Sequence, residues 1–87
     1  MPRYLAKISI SPKKGLFDPE GKELLNRLNR KGYSDVLAVR SGKYWELIIE
    51  ADSREDAIKR VTQIYSNPPV TNPVKDEPIL IDLEEIR

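Results

Sequence analysis

The sequence of 87 residues contains no cysteine and no histidine. Without cysteine there are no disulfides, no zinc thiolates and no catalytic thiol. Without histidine the chain lacks the commonest general base and the commonest metal ligand. No apolar run approaches the ~18 residues that a membrane span requires. The N-terminal stretch MPRYLAKISIS has no long apolar segment of the kind a secretory signal needs, so a cytoplasmic protein is the expectation. Charge of one sign is also missing. Fifteen basic and fourteen acidic residues leave a net charge of +1. A dedicated nucleic-acid binder carries a basic excess, so that class is disfavoured. Aromatic residues are few, and Trp45 is the only tryptophan. It is the natural centre for a core.

With 39% apolar and 33% charged residues, the chain has a globular composition. It reads as one small domain over residues 1–87. A domain of this size buries only about 60% of its unfolded surface and gains from oligomerisation.

The longest β-favouring stretch, VLAVRSGKYWELIIE from Val36 to Glu50, is broken once at Ser41-Gly42. It reads as a hairpin with Arg40-Ser41-Gly42-Lys43 at its tip, where Gly42 supplies a positive φ. Trp45, Leu47 and Ile49 then face the core, with Tyr44, Glu46, Ile48 and Glu50 on the other side. Tyr4 to Ser11 is a first strand with Tyr4, Ala6, Ile8 and Ile10 inward, ended by Pro12. Asp18-Pro19 starts a helix as N-cap and first residue. Leu24, Leu25 and Leu28 form its stripe, and Gly32 stops it. Gly21 lies inside that helix, either as a tolerated defect or to let another backbone approach closely. Ser53 and Asp56 resemble a capping box ahead of a second helix, which cannot outlast Asn67 because Pro68-Pro69 follows. After a proline-rich connection, Ile79 to Ile86 is the last strand, with Ile79, Ile81 and Leu83 inward.

The order strand, helix, strand, strand, helix, strand is that of a ferredoxin-like βαββαβ sandwich. The fold class is therefore α+β, a four-stranded antiparallel sheet with two helices on one face. Leu5, Tyr44, Ile48 and Leu80 fall on the uncovered face and form a candidate self-association surface.

No catalytic constellation emerges. Glu46 and Glu50 share a strand face, but exposed carboxylates so placed are ordinarily just solvated. Lys13-Lys14-Gly15 precedes a helix start, yet it is no P-loop, and Asp18 at the cap repels an anion. Tyr44 and Trp45 are adjacent and face opposite ways, whereas an RNA-recognition motif stacks bases on alternate aromatics of one face. Two cations flanking Gly42 need an acidic or carbonyl receiver. That receiver is either a partner or an internal group such as Glu46, Glu84 or Glu85.

Three stretches resemble the PurS family, small subunits of formylglycinamidine ribonucleotide synthase. They are Lys14-Gly15-Leu16-Phe17-Asp18-Pro19-Glu20-Gly21, then Val39-Arg40-Ser41-Gly42-Lys43-Tyr44 with Glu46-Leu47, and Asn72-Pro73-Val74. They follow the family patterns K-x-G-[VI]-x-D-P-x-G, V-R-x-G-K-x-x-E and N-P-V in order and spacing. Ser66-Asn67-Pro68-Pro69-Val70-Thr71 and Lys75-Asp76-Glu77-Pro78 depart from the family around the third motif.

The resemblance implies a non-catalytic bridging subunit of an ATP-dependent ligase of purine biosynthesis. Its implied partners are itself as a homodimer, an ATP-binding large subunit and a glutamine amidotransferase subunit. Nucleic acid and membrane are not among them. The small subunit assists ammonia transfer and binds no cofactor alone; ATP and magnesium belong to the large subunit. On the matched motifs, Asp18, Gly21, Arg40, Gly42, Lys43 and Asn72 are candidate partner contacts. The rival reading is a stand-alone dimeric small-molecule-binding regulatory domain of βαββαβ type.

Overall fold

A computed structural model describes residues 1–86. It contains β1 (Arg3–Pro12), α1 (Pro19–Arg30), β2 (Lys43–Glu50), α2 (Arg54–Tyr65) and β3 (Asp76–Ile86). The class is α+β as expected, but the sheet has three strands, not four. All pairings are antiparallel, in the order β2-β1-β3.

The inner face is built from the alternation in β1. Tyr4, Ala6, Ile8 and Ile10 are all buried there. Tyr4 sits opposite Ile49, Ala6 opposite Leu47 and Ile8 opposite Trp45. Helix α2 packs over β1 and β3 and contributes Ala57 and Val61, both fully buried. Ser53 caps it by accepting a hydrogen bond from the Asp56 N–H at 3.1 Å. The helix ends at Tyr65, before Asn67 as the prolines require. Thr71 is buried in the following connection, and its hydroxyl donates to the Tyr65 carbonyl at 2.7 Å.

Four expectations are corrected. The hairpin across Val36 to Glu50 does not form: residues 37–42 run without a ladder partner, and only the second half becomes β2. Strand-like composition marks a segment suited to a ladder without supplying a neighbour for it. Gly42 accordingly makes no hairpin turn; positive φ occurs only at Gly15 and Gly32 among the described residues.

Helix α1 does not lie on the sheet beside α2, so the sandwich has one helix on its inner face. Its ends form as expected. Asp18 is the N-cap with Pro19 next. At the other end Gly32, at φ 102, closes the helix with two hydrogen bonds. The Gly32 N–H donates to the Asn29 carbonyl at 3.1 Å and the Tyr33 N–H to that of Leu28 at 3.0 Å.

Trp45 points to the inner face but is 48% exposed, because α2 packs over β1 and β3 and leaves β2 at the margin. The core centre is instead Ile8 with Val61.

Finally, the register of β3 slips where Lys7 pairs with Asp82 and Ile8 with Leu80. This bulge at Ile81 inverts the alternation before it. Leu83 is buried, Leu80 packs against the core, and Ile79 and Ile81 are exposed. The uncovered face therefore keeps Leu5, Tyr44 and Ile48 but takes Ile79 in place of Leu80. The strand also begins earlier than expected, at Asp76.

Candidate functional site

Two chain segments leave the same end of the sheet, at Pro12 of β1 and Lys43 of β2, and Asp18 ties them together. Its Oδ1 accepts from the Gly21 N–H at 3.0 Å, which is the capping bond of α1. The same oxygen accepts from the Ser41 hydroxyl at 2.6 Å, while Oδ2 accepts from the Ser41 N–H at 2.7 Å. These three donors, with the nearby Arg40 charge, hold the Asp18 carboxyl below its ordinary pKa, the Ser41 hydroxyl contributing most. A carboxylate so satisfied is a structural anion, not a proton carrier.

Space around the clamp is tight. A Cβ on Gly21 would stand 2.5 Å from Asp18 Oδ2 and 2.7 Å from the Val39 carbonyl oxygen. Of the two readings of Gly21, close backbone approach is therefore correct. A Cβ on Gly42 would stand 2.6 Å from the Ile10 carbonyl oxygen. Glycine is needed there for room beside β1, not for a turn.

Asp18, Gly21, Arg40, Gly42 and Lys43 thus gather at one end of the sheet although two sequence motifs supply them. Arg40 and Lys43 are exposed but do not sit on a hairpin tip. They flank the clamp, and the Arg40 charge adds a minor share to the lowering of the Asp18 pKa. Asn72 shapes a separate turn: its side chain accepts from the Val74 N–H at 2.9 Å, and its N–H donates to Asp76 Oδ2 at 2.9 Å. Asp76 pairs with Pro12, so this turn joins the same end of the sheet.

Between these parts lies an open groove of ≈ 240 Å³ lined by Ile10, Phe17, Asp18, Ser41, Lys43 and Asp76, among others. Phe17 is 77% exposed at its rim. The groove offers an apolar floor, acids and one lysine, a mixture suited to a protein side chain or loop. Of these lining residues Asp18 and Lys43 are candidate partner contacts from the motifs, whereas Ile10, Phe17, Ser41 and Asp76 are not. For Ser41 the signal in the sequence is its place in the expected turn Arg40-Ser41-Gly42-Lys43.

No group of three or more acidic side chains is arranged to hold a metal among the described residues. Glu46 is occupied as an acceptor from the Tyr44 hydroxyl at 2.7 Å, which raises the tyrosine pKa. No helix among the described residues is long and apolar enough to cross a membrane.

Comparison with known proteins agrees with this geometry. The family model described as PurS, phosphoribosylformylglycinamidine (FGAM) synthase, matches residues 5–79. The FGAM synthase subunit PurS of Methanocaldococcus jannaschii is 31% identical over 71 residues, 82% of this chain and 84% of that protein. The corresponding subunit of Bacillus subtilis is 38% identical over 52 residues, 60% of this chain and 62% of that protein. Among solved structures, PurS of Thermus thermophilus superposes with a TM-score of 0.88 at 31% identity, covering 99% of this chain and 100% of that one. A chain from the structure of PurLQS from Thermotoga maritima does so with a TM-score of 0.81 at 26% identity, covering 99% and 100%. The clamped carboxylate, the two crowded glycines and the three-stranded sheet thus occur in a sequence that matches one family along most of its length, and the chain belongs to the PurS family.

Proposed function

We propose that this chain is the small, non-catalytic subunit of an FGAM synthase of purine biosynthesis. It bridges an ATP-binding large subunit and a glutamine amidotransferase subunit and assists the passage of ammonia between them. The observation that carries this reading is the likeness, over nearly the whole of both chains, to a chain solved within PurLQS. The site supports it. The Asp18 carboxylate is consumed by structural hydrogen bonds, and the groove beside it has the character of a protein contact surface. ATP and magnesium act in the large subunit under this reading.

The cluster of Asp18, Gly21, Arg40, Gly42 and Lys43 is the surface offered to the other subunits, and the Asn72 turn borders it. The open sheet face, with Leu5, Tyr44, Ile48 and Ile79, serves self-association as a homodimer. The test is reconstitution. The pure chain shows no glutamine-dependent turnover, and mixing it with the large and amidotransferase subunits restores turnover that those two lack without it. Full turnover by the two larger subunits alone would overturn the bridging role.

A further inference from the structure

Asp18-Pro19 is the only Asp-Pro pair in the sequence. Such a bond carries its own nucleophile. A carboxylate oxygen of the aspartate can add to the carbonyl carbon of the same residue and close a five-membered ring. Proline is linked through a tertiary amide, and its nitrogen leaves readily once it takes up a proton. This bond joins β1 to everything after it. β1 is the central strand in the order β2-β1-β3, so a cut there separates the middle of the sheet from the rest of the chain.

Solvent reaches the bond. Pro19 is exposed, and Asp18 and Pro19 both line the open groove. What the fold withholds is the nucleophile. The Gly21 N–H, the Ser41 N–H and the Ser41 hydroxyl together engage both carboxylate oxygens of Asp18. The acyl carbon is fixed as well, because the Asp18 carbonyl accepts the first helical hydrogen bond, from the Lys22 N–H at 3.0 Å. Attack requires the reacting atoms to be aligned at about 3–3.5 Å. A carboxylate turned to Gly21 and Ser41 must first leave those donors.

We propose that Asp18-Pro19 is a latent self-cleaving bond, and that Ser41 keeps it silent by holding the Asp18 carboxylate away from its own carbonyl. When the carboxylate is released in acid, one oxygen bonds to the Asp18 carbonyl carbon and the C–N bond to Pro19 breaks. The electron pair of that bond stays on the proline nitrogen, which takes a proton from solvent. The cyclic anhydride left on Asp18 then adds one water. The products are residues 1–18 with a C-terminal aspartate and residues 19–87 with an N-terminal proline. Charge state alone points the other way. The Ser41 hydroxyl is the first of the groups that keep Asp18 ionised in acid, and Arg40 adds to it. Lys13, Lys14, Lys43, Glu20 and Asp76 line the two grooves that Asp18 borders. The ionised carboxylate is the better nucleophile, so losing the Ser41 hydroxyl would slow cleavage if ionisation decided the rate. If restraint decides it, the same loss accelerates cleavage.

The test compares full-length wild type with Ser41→Ala, Asp18→Asn and Val61→Ala. Val61 is fully buried on α2, so its truncation loosens the core and leaves the clamp in place. All are incubated in one acidic buffer, with urea added to bring each to the same unfolded fraction by circular dichroism. Loss of fold then cannot by itself separate them. Intact-mass spectrometry follows the 1–18 and 19–87 fragments. Ser41→Ala is expected to release them several-fold faster than wild type, with Val61→Ala matching wild type and Asp18→Asn uncut at this bond. In guanidinium chloride at the same pH, where no clamp exists, wild type and Ser41→Ala cleave at one rate. Equal or slower cleavage of Ser41→Ala at matched unfolded fraction overturns the guarding role of Ser41. Val61→Ala as labile as Ser41→Ala also overturns it, because global loosening then sets the rate. Unequal rates in guanidinium chloride do so too, since the serine then acts without the fold. Cleavage that survives in Asp18→Asn overturns the self-cleaving step.

Discussion

Asp18 and Ser41 are 23 residues apart in sequence and joined by two hydrogen bonds, from the serine N–H at 2.7 Å and its hydroxyl at 2.6 Å. One carboxylate thereby caps α1 and fastens the segment that enters β2. The same link sets where Arg40 and Lys43 stand relative to the groove, so a local capping choice has a consequence for the presented surface.

Replacing Ser41 with Ala removes one of the two bonds and leaves the other. A net hydrogen bond contributes about 1 kcal/mol, which for a domain of this size lowers Tm by about 4–8 °C. The additional outcome is weaker binding to the other subunits at temperatures where the variant is still folded. A melting curve beside a subunit titration measures both.

The clamp has a defined pH dependence. Asp18 has a pKa below its ordinary 3.8 in the folded chain, chiefly through the Ser41 hydroxyl. A group whose folded pKa is depressed contributes stability that is fully present above the unfolded value. That contribution is lost as pH falls from the ordinary carboxylate range through the lowered folded value. Wild type therefore loses stability on acidification in that window more steeply than Asp18→Asn, whose side chain does not titrate. Denaturant midpoints for the two proteins, compared from neutral pH down to about pH 2, give the result. Parallel curves would remove Asp18 as the source.

Gly42→Ala is expected to be destabilising, by about 1–3 kcal/mol. The added Cβ meets the Ile10 carbonyl at 2.6 Å, and backbone yields less readily than a side-chain tip. Had Gly42 served a turn, the cost would arise from a positive φ, which it does not have. Equilibrium unfolding of Gly42→Ala against wild type checks the size of the effect. A neutral result would show that β1 and the entry to β2 are less closely apposed in solution.

Arg40 and Lys43 are exposed, so changing both to Ala alters stability by no more than about ±0.5 kcal/mol. The expected effect lies in assembly: lower affinity for the other subunits, with the remaining binding less sensitive to salt. Titrations at two ionic strengths supply the measurement. A large drop in melting temperature with binding per folded molecule unchanged would assign these residues to the fold.

Much of the molecule follows from local chemistry. The alternation of Tyr4, Ala6, Ile8 and Ile10 named the inner face of β1, because neighbouring side chains on a strand must point oppositely. Asp18-Pro19, Gly32, Ser53 and Pro68-Pro69 marked helix ends, because caps and breakers act through the backbone within one turn. The grouping of Asp18 and Gly21 with Arg40, Gly42 and Lys43 was suggested by family motifs, and the fold brings these residues together. Tertiary structure alone decided the rest. Val36 to Arg40 has the composition of a strand, but a ladder needs a second strand, and no sequence window contains its own neighbour. The slip at Ile81 depends on how β3 fits against β1, and it exchanged Leu80 for Ile79 on the open face. Trp45 faces inward by alternation, yet α2 lies over β1 and β3, so burial was settled by where a helix 12 residues long could reach. Spacing along the chain specifies direction and termination; coverage requires a second surface, and that is a property of the assembled fold.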